Sequence, residues 1–69
     1  MSRPESVASA AKLIEELTNE YGPMFEPGLT DQADILRSFL DFLWPLATDP
    51  KKARYIDRIS QALLELKIN

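Results

Sequence analysis

Two proline-bearing joints decide how this chain can be built. YGPMFEPG at residues 21–28 and PLATDP at residues 45–50 each carry two prolines, the first with two glycines as well. A proline has no N–H to donate and its ring collides with the carbonyl four residues back, so a regular helix ends or kinks at each joint. Three segments remain, and each repeats its apolar residues at the helical period of 3.6. A chain of 69 residues buries only about 60% of its unfolded surface, enough for one modest core and one domain.

The first segment opens on Ser2-Arg3-Pro4-Glu5, a Ser-x-x-Glu capping box with proline in the first turn. Val7, Ala10, Ala11, Leu13, Ile14, Leu17 and Tyr21 then share one face, with Lys12, Glu15, Glu16, Asn19 and Glu20 opposite. Residues 3–21 are therefore expected to form a helix. Residues 22–28 form a loop whose Met24 and Phe25 are expected to fold over a bundle end. A second helix over residues 31–44 takes Thr30 or Asp31 as its cap and stops within a turn of Pro45. A third, over residues 50–67, starts on Asp49-Pro50 and points Tyr55, Ile56, Ile59, Ala62, Leu63 and Leu66 inward. No strand-like alternation appears. The expectation is an all-α three-helix bundle, antiparallel and joined by short connections.

Hydrophobic content of 45% beside 28% charged residues is that of a globular chain. The opening MSRPESVASAAK has no apolar run after its arginine, and no stretch is long and uncharged enough to span a bilayer. A soluble, cytoplasmic protein without membrane association is expected. The absence of cysteine fits a reducing compartment and removes any disulfide framework. Small domains lacking both disulfides and metals often gain stability by oligomerising.

Histidine is absent too, which takes away the usual neutral-pH base along with the thiol nucleophile and the common ligands of transition metals. Serine and threonine have no imidazole to activate them. Gly22 and Gly28 are not followed by Gly-Lys-Ser/Thr, so no phosphate-cradling loop is present. Glu15, Glu16, Glu20, Asp31 and Asp34 lie on solvent faces without the Asp-x-Asp-x-Asp-Gly spacing of a calcium loop. No enzyme activity, cofactor or metal is expected.

Charge is uneven. Residues 1–50 hold three basic against nine acidic groups, while residues 51–69 hold five against two, within a net charge of −3. Lys51, Arg54 and Arg58 are spaced i, i+3, i+7, which places them on one outer stripe beside Tyr55. Two lysines in a first turn oppose the positive end of the helix dipole. The ridge suits an acidic protein surface or, as an alternative, the phosphates of a nucleic acid, which the net negative charge disfavours. Pairing with acidic residues of the neighbouring helices is the plainer expectation.

The middle helix is apolar over an unusually wide arc. Ile35, Phe39, Phe42 and Leu46 form one seam at i, i+4, i+7, i+11, and Leu36, Leu40, Leu43 and Ala47 form a second. One reading fills both seams with the first and third helices and leaves Phe25 and Trp44 as plugs at the bundle ends. The expected arrangement turns an outer edge to another chain, with Leu36, Leu40, Leu43 and Trp44 for apolar contact and Lys51, Arg54 and Arg58 for polar steering. The expected function is a non-enzymatic protein–protein interaction module, a small regulator, adaptor or inhibitor, with a homodimer through the middle helix as the first choice.

Overall fold

The computed structural model describes residues 4–68. It contains three helices, α1 (Pro4–Tyr21), α2 (Gln32–Leu43) and α3 (Pro50–Ile68), with one 3-10 turn at Trp44–Leu46. The Ser2 cap lies outside the described residues. Asp31 caps α2: its extended backbone turns the carboxylate back to accept from the N–H groups of Ala33 (2.9 Å) and Asp34 (3.3 Å). Asp49 does the same for α3, accepting from the Lys51 N–H at 2.9 Å ahead of a Pro50 that has no N–H to orphan.

Pro45 ends α2 as its chemistry requires. The Trp44 N–H still reaches the Leu40 carbonyl, but the next residue has nothing to donate, and the backbone tightens into the 3-10 turn. At the other joint Gly22, with φ +84, closes α1 by donating to the Thr18 carbonyl at 2.8 Å. Glu26-Pro27-Gly28-Leu29 is a reverse turn with proline second and glycine third, closed by the Leu29 N–H on the Glu26 carbonyl at 3.1 Å; Gly28 carries the positive φ of 87° that such a turn demands.

The order of the helices in space departs from the expected antiparallel bundle. The Gln32 side chain at the start of α2 donates to the Val7 carbonyl near the start of α1 at 3.0 Å. Tyr21, at the end of α1, packs at a tilt against Phe42 at the end of α2, with ring centroids 5.8 Å apart. Hence α1 and α2 run parallel, and α3 runs against both: Glu16 meets Arg58 and Tyr21 meets Tyr55. The connection over residues 22–31 is therefore not a short turn but a return along the bundle. Fully extended, it reaches about 33 Å, ample for the roughly 18 Å length of a twelve-residue α2. Phe25 pins it on the way, edge-on to Phe39 at 5.8 Å, and Met24 and Leu29 pack beside it against the core. Phe25 thus packs against the middle of α2 rather than over an end.

At the centre lie Ala10, Leu13 and Leu17 of α1, Ile35, Leu36, Phe39 and Leu43 of α2, and Ile56 and Ile59 of α3. The inward row of α1 is Ser6, Ala10, Leu13 and Leu17, spaced i, i+4, i+7, i+11, while Val7 and Ala11 of the expected face are exposed. The bundle covers a narrower strip of α1 than its apolar residues mark out, and the small Ser6 and Ala10 let the neighbouring helices come close. No helix among the described residues is long and apolar enough to cross a membrane.

Candidate interaction surface

Helix α2 divides its apolar arc unequally. Leu36 and Leu43, expected on a partner-facing edge, are fully covered within the chain, both at 0% exposure. The correction has a simple cause. α1 and α3 both pack on α2 and Phe25 of the returning connection lies against Phe39, so Leu36 and Leu43 of the second seam are covered by this chain's own residues while Ala47 stays exposed. Leu40, on the flank of that seam, is half-buried, and Trp44 keeps 65% of its surface in solvent, so it does not plug a bundle end. Of the four apolar contact residues expected from the sequence, Leu40 and Trp44 remain available.

Alongside them lies surface that sequence periodicity did not mark. Ala33, Arg37 and Leu40 of α2 and Trp44 of the turn that follows it are spaced i, i+4, i+7, i+11 and form one accessible row, with Arg37 and Trp44 exposed and Ala33 and Leu40 half-buried. Across from Ala33 and Arg37, Ser60, Leu63 and Leu64 of α3 complete an open groove of about 460 Å³. Leu64, 51% exposed, is the outlier of the third helix's apolar pattern, and that exception was the one signal in the sequence that α3 carries a second, outward apolar position.

The cationic ridge of α3 is largely turned to internal use. Arg58 grips Glu16 of α1 with two parallel hydrogen bonds, Nη1 to Oε1 at 3.0 Å and Nη2 to Oε2 at 2.8 Å, and its guanidinium lies over the Tyr55 ring at 5.5 Å. Lys51 pairs with Glu20 one turn further along the same seam. Lys52 binds the capping carboxylate of Asp49 at 2.8 Å, so both first-turn lysines sit against a carboxylate that offsets the unfavourable dipole. Arg54 is exposed, outside those pairs. The carboxylates are placed as well: Glu16 and Glu20 face α3, Asp31 caps α2, and Asp34 pairs with Arg37 at 3.0 Å.

The pairs leave a mark on titration. The Arg58 hydrogen bonds hold the Glu16 carboxyl below its ordinary value, and the Lys52 ammonium, helped by the Lys51 backbone N–H, does the same for Asp49. A carboxyl depressed in the folded state adds stability that is present above its unfolded pKa and is lost as pH falls through the folded one. The melting temperature is therefore expected to decline as pH drops below about 4.5, the ordinary glutamate value, and Glu16→Gln is expected to make the decline shallower. Circular dichroism melts between about pH 5 and pH 3 check this; identical slopes for the two proteins would contradict it. Both carboxylates are partly solvated, so the effect is modest.

Fold and surface together define an all-α three-helix bundle with a parallel first pair and one aromatic edge left open. Compared with protein-family models, with curated proteins and with solved structures, the chain matches none.

Proposed function

We propose that this chain is a non-enzymatic protein–protein interaction module of the cytoplasm, a small regulator, adaptor or inhibitor that works by covering a surface, and that it self-associates as a homodimer through α2. The observation that carries this reading is Trp44: a tryptophan 65% exposed, in the turn that directly continues the most apolar helix, one helical turn on from the half-buried Leu40. Exposed aromatic anchors of this kind dominate the energetics of protein interfaces. The absence of histidine and cysteine supports the non-enzymatic part. The engagement of Arg58 and Lys51 by Glu16 and Glu20 weighs against a phosphate-binding ridge and leaves Arg54 as the steering cation.

Leu40→Glu and Trp44→Glu test it. A glutamate buried unpaired in an interface costs several kcal/mol, whereas at a position left in solvent it costs little. Both variants are expected to be helical monomers under conditions where the wild type is a dimer, with melting temperatures that no longer rise with protein concentration. Size exclusion coupled to light scattering decides between the outcomes. A wild type that stays at 7.8 kDa up to hundreds of micromolar would dismiss the homodimer.

A further inference from the structure

The accessible row that runs along α2 into the turn after it is complementary to itself when reversed. Its smallest member, Ala33, and its largest, Trp44, stand at opposite ends, with Arg37 and Leu40 between them. A point midway between Ala33 and Trp44 is also midway between Arg37 and Leu40, and lies within half a residue of the midpoint between Arg37 and Asp41. A two-fold axis through that point sets large against small and cation against anion at once, each pairing occurring twice. Most homo-oligomeric interfaces are of this isologous kind.

We propose that a second copy of this chain docks here, α2 antiparallel to α2, with Trp44 of each copy seated in the other's Ala33–Leu64 groove. The inference rests on the self-association reading above and adds to it the partner's orientation and contacts. The groove has the room: its 460 Å³ falls within the range of about 300–1,000 Å³ that holds bound organic groups. Ala33, Leu63, Leu64 and Leu66 give it apolar surface for an indole, the small side chains of Ala33 and Ser60 leave space, and Arg37 and Lys67 stand at its polar side. The Leu40 side chain rests on the aliphatic stem of the partner's Arg37. That guanidinium is held by Asp34 of its own chain through Nη1 and has further N–H groups to offer Asp41 across the axis. Arg37 and Asp41 are both exposed in the single chain, so their substitution leaves the core intact.

A charge swap tests the orientation. Arg37→Asp and Asp41→Arg each place like charges across the axis and are expected to raise the dimer dissociation constant about tenfold. The double variant Arg37→Asp/Asp41→Arg recreates both pairs and is expected to return toward the wild-type value. Trp44→Ala is expected to weaken the dimer at least about 30-fold. Because Trp44 is the only tryptophan, its emission is expected to move to shorter wavelength as wild-type protein associates. Circular dichroism verifies that each variant is folded before its association is measured. A wild type that never leaves the monomer overturns both this arrangement and the self-association reading. A wild type that dimerises with unchanged tryptophan emission, or whose charge-swapped double variant is as weak as the single ones, overturns this arrangement alone.

Discussion

Ile59→Glu is expected to leave the chain unfolded at every protein concentration. Ile59 has 0% of its surface exposed and is one of the two α3 residues at the centre of the core. A carboxylate there meets no cation: the basic residues of α3 lie on its outer stripes, and the inward face is aliphatic and aromatic. Burying the charge costs several kcal/mol, and protonating it instead still leaves a polar group among hydrocarbon. A domain of 69 residues holds only about 3–10 kcal/mol in total. Far-UV circular dichroism is the measurement, taken from about ten to several hundred micromolar. The contrast with Leu40→Glu is diagnostic, because that variant is expected to stay helical while losing its partner. A cooperative melt of Ile59→Glu within a few degrees of wild type would mean that α3 does not pack on its Ile59 face.

Phe39→Ala is expected to destabilise the fold by about 3–5 kcal/mol, near or beyond the limit that so small a core tolerates. Phe39 is the largest fully buried side chain, and its ring is also the surface on which Phe25 holds the returning connection. Removing it opens a cavity in the buried cluster to which Leu17, Leu36 and Leu43 also belong and detaches that anchor at the same time. Phe25→Ala loses the second contribution only, since Phe25 is half-buried, and is expected to cost a fraction as much. Urea unfolding gives the two values, and amide exchange over residues 24–29 shows whether the connection loosens in the Phe25 variant while the helices stay protected. Equal, small losses for both would mean that the connection does not depend on this pair.

The sequence carried most of the secondary structure because the signals for it are local. Asp31 and Asp49 were readable as caps, since a carboxylate reaches only its own helix's first N–H groups. Pro45 announced its own stop. The inward row of α3, with Ile56 and Ile59, followed from period alone. The candidate surface was half legible. Trp44 and Leu40 stood at the margin of an apolar arc too wide for a small bundle, and they are the two that stay accessible, while Leu36 and Leu43 of the same seam are covered.

What the sequence by itself determined is where helices begin and end, which face of each is apolar, and that no imidazole or thiol is among its side chains. Each depends on residues within a turn or two of one another, or on composition. Only the tertiary structure decided that α1 and α2 run parallel, that residues 22–31 travel back along the bundle on Phe25, and that Glu16 and Glu20 take Arg58 and Lys51 for internal pairs. It decided as well that Ala33 and Leu64, one inconspicuous in its helix and the other the exception to its helix's apolar pattern, share one groove. These outcomes depend on contacts between residues dozens of positions apart. A helical period says how much apolar surface must be covered, and only the packing of the remaining elements says which part of it this chain covers for itself.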